Sequence, residues 1–349
     1  MPPIDNFDPN SVGLLSNNIF GLPFTEEEAS VILLPVPWEV TVSYRTGTAQ
    51  GPEHIYEAAM QVDLFDPDVP EGWKNGFYML PIDKNIRTKS DYLRQCTELI
   101  LSHMMEGGNV ADNAHLSNKL KDINENGRAL CDWVHELTIS MLKKGKKVGL
   151  IGGDHSTPLG LIKALGELNN DFGVLQIDAH ADLRKAYEGF TYSHASIMYN
   201  VLREVPSVSK LVQVGIRDYC DEEFELIKNN PGRVQTFFDQ DIKEAQFEGA
   251  TWKDICKKIV DSLPQKVYIS FDIDGLDPKL CPNTGTPVPG GFDTAQVFYL
   301  FKQLHLSGRE IIGFDLNEVS NGVGEQESID SIVGARVLYK LCNYLVAKN

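Results

Sequence analysis

Gly173-Val174-Leu175-Gln176-Ile177-Asp178-Ala179-His180-Ala181-Asp182 reads as a short buried strand that ends in chemistry. The run 173–177 has the length of a strand rather than a helix. Beyond it, residues 178, 180 and 182 alternate, so on an extended segment their side chains project to one side. Two further segments share this construction. Gly152-Gly153-Asp154-His155-Ser156 follows the apolar run 148–151. Ser270-Phe271-Asp272-Ile273-Asp274-Gly275-Leu276-Asp277-Pro278 continues the run 267–273. Carboxylates gathered this closely repel strongly in a low-dielectric site, and divalent cations remove that repulsion. Mixed imidazole and carboxylate donors suit manganese, nickel, iron or zinc better than a thiolate-seeking metal. A two-metal hydrolytic site is the chemistry these residues permit.

Strand-like runs also occur at 31–36, 211–216, 234–238 and 311–316. Most of the runs are separated by amphipathic stretches of helical length at 157–168, 194–204, 222–229, 252–263 and 294–306, and 328–346 closes the chain as a helix. This alternation predicts an α/β fold with a mainly parallel sheet covered on both faces. Ligands of such sheets bind beyond the carboxyl ends of the strands, where all three motifs fall. The stretch 64–126 reads differently. It opens with the turn-rich Asp66-Pro67-Asp68-Val69-Pro70-Glu71-Gly72. Residues 115–144 follow as one or two helices, with lysines in the last turn before Gly145. Residues 64–126 are expected to be an insertion or flap within a single domain of residues 1–349, either surface padding or a cover for the site.

Composition narrows the function. Of 349 residues, 42% are hydrophobic, and the net charge is -17; mean hydropathy is -0.21. The acidic balance argues against nucleic acid or anionic membrane as a partner and fits a small cationic substrate. No run has the length of a membrane span. The start, Met1-Pro2-Pro3-Ile4-Asp5, lacks the basic and apolar regions of a signal peptide, so a cytoplasmic location is expected. The 6 cysteines form no CxxC pair and are expected to be free thiols.

The three motifs resemble the signatures of the ureohydrolases, the family of arginase, agmatinase, formiminoglutamase and guanidine hydrolase. The likeness extends to Ser43-Tyr44-Arg45-Thr46-Gly47-Thr48-Ala49-Gln50-Gly51-Pro52, to Thr284-Gly285-Thr286-Pro287, and to Glu318 in Phe314-Asp315-Leu316-Asn317-Glu318-Val319. The resemblance implies a three-layer α/β/α fold and a trimer or hexamer. It also implies two divalent metal ions per chain, nickel or manganese. One would be held by His155, Asp178, Asp182 and Asp272, the other by His180, Asp178, Asp272 and Asp274. It further implies that hydroxide attacks a guanidinium carbon and urea is released. Asp182 would orient the nucleophile and pass a proton, His194 would shuttle protons, and Glu318 would grip the guanidinium by a charge-assisted contact.

The substrate is less constrained. Arg184 stands where arginase has an Asn for the amino-acid head, and Cys220 stands where it has an acid, so arginine is disfavoured. The stretch 182–195 resembles agmatinases, whereas 36–41, 61–66 and 280–285 look more like the branch that includes nickel-dependent guanidine hydrolases. Free guanidine needs bulk where a tail would lie, for which Trp38, Tyr44, Phe190, Tyr192 and Trp73 are candidates. Trp38 and Thr286 are therefore expected, with Glu318, to line the substrate site. Guanidine is the first expectation and agmatine the second. A non-catalytic member of the fold is the remaining alternative, disfavoured because no matched ligand is missing.

Overall fold

The computed structural model describes residues 7–11, 13–14 and 16–348. The N-terminal segment 1–5, which carries no signal-peptide pattern, lies outside them. Eight strands form one sheet: β1 (Val31–Val36), β2 (Phe77–Met79), β3 (Lys147–Gly152), β4 (Phe172–Ile177), β5 (Val208–Ile216), β6 (Val234–Phe238), β7 (Lys266–Asp272) and β8 (Glu310–Asn317). Every pairing is parallel, in the order β2-β1-β3-β8-β7-β4-β5-β6. β1 and β4 are buried along their whole length and β7 beyond its first residue, which is why they read as unbroken apolar runs rather than alternating ones.

Ten helices flank the sheet: α1 (Gly51–Ala59), α2 (Lys84–Met105), α3 (Ala114–Lys143), α4 (Leu159–Leu168), α5 (Ile197–Glu204), α6 (Asp221–Asn229), α7 (Asp239–Phe247), α8 (Trp252–Asp261), α9 (Thr294–Leu306) and α10 (Ile329–Val346). α2, α3, α4 and α5 pack in succession, and α1, α10, α9 and α8 form the other series. The result is the expected α/β/α arrangement. The region 115–144 is one helix, α3, capped by the Asn113 side chain, which accepts from His115 N and Leu116 N.

The stretch 64–126 holds β2, which pairs with β1, then α2, and the first part of α3. Its first turn is fastened to the far end of the chain. Lys340 Nζ lies 2.7 Å from Asp66 Oδ1, and Lys302 Nζ lies 2.6 Å from Asp68 Oδ1. α2 reaches toward the loop after β1, where Ser90 Oγ accepts from Glu39 N at 3.0 Å and Arg94 donates to the Val42 carbonyl. Among the described residues, no helix is long and apolar enough to cross a membrane. All six cysteines are free.

β3, β8, β7 and β4 are neighbours at the centre of the sheet. Their carboxyl ends are flush: Ile151 pairs with Leu316, Leu316 with Phe271, and Phe271 with Ile177. The next residue on each strand therefore begins a common rim. Segments far apart in sequence meet there because the chain inserts β7 and β8 between β3 and β4.

Candidate active site

The rim is assembled by close backbone approach. A Cβ on Gly153 would lie 1.8 Å from the Trp38 carbonyl oxygen, and one on Gly152 would lie 1.7 Å from Asn317 Oδ1. Only glycine lets the end of β3 wedge between the loop after β1 and the end of β8. Asp154 N donates to the Trp38 carbonyl at 2.8 Å, and His155 N donates to Glu318 Oε1 at 2.8 Å. Glu318 and Asp182 both hold positive φ, 63° and 54°, a backbone strain that surrounding structure must sustain. Glu318 is fixed by its N–H to the Gly153 carbonyl and by Thr284 Oγ1, which donates to its carbonyl. The Asp182 carbonyl accepts from Met198 N and Tyr199 N at the start of α5.

His155 Nδ1 sits 3.0 Å from Asp178 Oδ2, 3.1 Å from Asp182 Oδ2 and 3.2 Å from Asp272 Oδ2. His180 Nδ1 sits 3.0 Å from Asp274 Oδ2 and 3.7 Å from Asp178 Oδ1. Two groups of possible metal donors result: His155 with Asp178 and Asp182, and Asp178 with His180 and Asp274. Asp178 belongs to both. Asp272 joins the first through His155, and its Oδ1 accepts from Asp274 N at 2.8 Å. The residues fit a metal pair on two further grounds. His155 Nδ1 is buried without a hydrogen-bond partner although three carboxylate oxygens surround it. The donors are imidazole nitrogens and carboxylate oxygens in a closed, charged pocket.

Electrostatics tell the same story. Burial, then the neighbouring Asp274 and Asp178, pushes the Asp272 carboxyl well above its usual range. Burial and Asp178 push Asp182 up to about 7. Burial works against charge on His155 and His180, yet the acids around them raise both imidazoles well above their ordinary value. Burial, Asp272 and Asp154 raise Glu318 strongly. Left to itself this cluster takes up protons to relieve its negative charge, a role that divalent cations fill better.

Above the cluster lies a cleft of about 310 Å³ lined by His180, Asp182, His194, Thr286, Arg184 and Tyr187, among others. The structure thus brings together His155, Asp178, His180, Asp182, Asp272 and Asp274, with Glu318 joined to them through His155 N and His194 and Thr286 in the cleft wall. His194 N donates to Thr41 Oγ1 at 3.2 Å, and its ring meets Tyr187 edge-on. Burial, then the charged His180 and His155, pushes its imidazole down to about 3, so it is neutral near pH 7.

Trp38 is placed differently from the expectation. Its side chain is only 2% exposed, in the core, and does not line the cleft. Its backbone carbonyl is the part that meets the rim. Phe190 and Trp73 are also core residues, and Tyr192 lines a separate cavity beside α3. Of the proposed aromatic bulk, Tyr44 alone lines the cleft, joined there by Tyr187 and Tyr219.

Several supporting residues escape a reading of the sequence. Arg217 donates to the carbonyls of Asp274, Leu276 and Val288, clamping the third motif. Ser270 Oγ lies 2.9 Å from His155 Nε2 and donates to Asp315 Oδ1 at 3.1 Å. Gln176 Nε2 donates to Asp178 Oδ2 at 2.8 Å. The available signal is a polar residue inside an otherwise apolar strand.

Comparison with known proteins agrees with this geometry. A family model described as the arginase family matches residues 29–343. An N(1)-aminopropylagmatine ureohydrolase of Thermus thermophilus is 32% identical over 295 residues, 84% of each chain. One from Synechocystis is 29% identical over 319 residues, covering 91% of this chain and 89% of that protein. The proclavaminate amidino hydrolase of Streptomyces clavuligerus shares the fold, with a TM-score of 0.71 and 22% identity over 96% of this chain and 98% of that one.

Proposed function

The chain belongs to the arginase family, and from that premise we propose that it is a two-metal ureohydrolase that cleaves a guanidinium carbon–nitrogen bond and releases urea. The observation that carries the reading is the convergence of His155, Asp178, Asp182, Asp272, His180 and Asp274 from three strand ends, with Glu318 from a fourth.

These six residues would hold two divalent ions, which when bound would supply a hydroxide nucleophile near neutral pH. The chain's own groups do the rest. Glu318 has one oxygen occupied by His155 N. Its other oxygen approaches Gly285, where a Cβ would come within 3.2 Å. That carboxylate binds the planar guanidinium and turns its carbon toward the cluster. Asp182, positioned by α5, takes the proton of the nucleophile and returns it to the departing nitrogen. His194, neutral and in the cleft wall, accepts a proton from the cleft side and exchanges it with water. The product urea is neutral and loses its attraction for Glu318.

Among guanidino compounds we place free guanidine first. Arg184 and Cys220 stand where arginase, by the same resemblance, has the Asn and the acid that hold an amino-acid head. The Arg184 guanidinium, stacked 4.6 Å over Tyr187 and 3.7 Å from Glu223 Oε2, stands in the wall that a tail would pass. The second reading is a guanidino compound with an amine tail, such as agmatine or aminopropylagmatine. It is favoured by the room in the cleft and by the exposed Asp218 carboxylate among its lining residues. The names of the relatives point the same way. Urea release from guanidine, agmatine, aminopropylagmatine and arginine, each with manganese and with nickel, decides between them. Tenfold higher kcat/KM for a tailed substrate replaces the first reading with the second, and no urea from any of them overturns both. By the same resemblance the protein is proposed to be a trimer or hexamer.

A further inference from the structure

A polar row crosses the apolar sheet directly beneath the cluster. Thr236 of β6 pairs in register with Gln213 of β5, Gln213 with Gln176 of β4, Gln176 with Ser270 of β7, and Ser270 with Asp315 of β8. One arm of this row is a hydrogen-bonded chain with a single direction. Thr236 Oγ1 donates to Gln213 Oε1 at 2.8 Å. Gln213 Nε2 donates to Gln176 Oε1 at 2.7 Å and to the Ala181 carbonyl at 2.7 Å. Gln176 Nε2 donates to Asp178 Oδ2 at 2.8 Å and to the His180 carbonyl at 3.2 Å. Both glutamines and Asp178 are fully buried.

We propose that Gln176, Gln213 and Thr236 are positioning residues that fix the orientation of Asp178, the carboxylate common to both metal-donor groups. A lone amide can present either its oxygen or its nitrogen. Here each amide's oxygen is already occupied by the donor behind it, so Gln176 has only N–H to offer Asp178. That sets a donor against Asp178 Oδ2 while Oδ1 accepts from His180 N at 2.7 Å, and together they fix how the carboxylate is turned toward the cluster. Turning Gln176 over would set oxygen against oxygen and leave a buried donor unpaired, an arrangement that is strongly disfavoured. The same two glutamines hold the 178–182 segment itself, through the carbonyls of His180 and Ala181. A strand interior that tolerates two fully buried amides for packing alone would be worse than one carrying leucines. The row is explained by what it holds.

The inference rests on the reading of the six residues as metal ligands, and the test separates the two. Holoprotein is challenged with a chelator, and the rate of metal release is followed by an indicator dye, independently of turnover. Gln176→Leu is expected to release metal on the order of 10- to 100-fold faster. Gln213→Leu, which frees Gln176 to turn over, should approach it. Thr236→Val, at a half-buried position remote from the cluster, should speed release a few-fold, whereas Thr236→Ser, which keeps the hydroxyl, should restore the wild-type rate. That rescue is not expected of a role in packing. Wild-type release from Gln176→Leu and Gln213→Leu, or equal release from Thr236→Val and Thr236→Ser, overturns the proposal and leaves the ligands in place. If the wild-type protein binds no metal, the reading of the six ligands fails first.

Discussion

Two groups of aspartates in this molecule are answered in opposite ways. Asp66 and Asp68 sit in the turn after α1, where every carboxylate oxygen has a donor. Lys340 serves both residues, Lys302 and Tyr344 serve Asp68, and Asn343 serves Asp66. Asp178, Asp182, Asp272 and Asp274 sit at the rim with Glu318 and Asp154, and only two imidazoles stand among them. The chain supplies the cations of the first group and withholds those of the second. A paired cluster fastens the fold. A cluster short of positive charge requires cations from outside, and that requirement is the physical core of the functional reading.

The strongest way to break this comparison is to remove a shared ligand. Asp178→Ala takes a donor from both metal groups, so urea release should fall on the order of 10³-fold or more, together with metal content after gel filtration. Two metals per chain retained by this variant would put the cations elsewhere. The matching change in the paired cluster is Lys340→Met, which leaves the buried Asp66 without its cation. Denaturant unfolding should show a loss of about 3–5 kcal/mol. The kcat of the folded fraction should be unaffected. A loss of turnover without a loss of stability would erase the distinction between the clusters.

The rim side of this contrast is legible in the amino-acid sequence. The central strands are buried on both faces, so β3, β4, β7 and β8 show as apolar runs, and the ligands stand at their ends within short motifs. β2 does not show, because three residues give no periodicity. α2 is masked although Leu93, Cys96, Ile100 and Leu101 are spaced for one buried face, because the turn-rich residues before it suggest an insertion. α7 is short and buries only Asp239 and Ile242, which leaves no apolar stripe to read. Trp38 misleads for a different reason. Where a loop residue points is set by what packs on it, and here Asp154 N claims its carbonyl while the core claims its indole. Asp66 and Asp68 look as promising as any acid pair, and only the arrival of Lys340 and Lys302 from the far end of the chain shows them to be structural.

A smaller effect sharpens the role of positive charge at the rim. His194→Ala should keep both metals and lose on the order of 10²-fold in turnover, as expected for a proton-shuttling residue. The ring's ordinary value is 6.5, and burial followed by the cationic neighbours brings it to about 3. At pH 7 it can therefore accept a proton and has none to give in advance. Full turnover by His194→Ala, or metal lost with the ring, would remove it from the proton path.

The smallest effect sets the two clusters against each other by pH, because their shifts have opposite signs. For Asp68, burial opposes ionisation, but bonds from Lys302 and Lys340 prevail and lower its carboxyl from 3.8 to about 2. A lowered carboxylate contributes stability that is complete above pH 3.8 and is lost as the pH falls through about 2. The full shift corresponds to about 2.4 kcal/mol, and because Asp68 is partly exposed, solvent screening brings its contribution to about 1 kcal/mol. At the rim, Asp182 is raised to about 7, first by burial and then by Asp178, and Asp272 is raised well above its usual range, first by burial and then by Asp274. Raised carboxylates bind protons more tightly in the folded state, so metal-stripped protein should gain stability as pH falls from 7 toward 4. Metal-loaded protein should not, since the cations already hold those oxygens. Thermal unfolding of both forms between pH 7 and 4 tests the rim. The difference in stability between wild type and Asp68→Asn, which cancels every other acid, tests the turn. That difference should be constant above pH 4 and shrink toward pH 2. A difference that stays flat to pH 2 would mean that Lys302 and Lys340 do not hold Asp68 ionised, and the paired cluster would lose its claim to be the self-sufficient one.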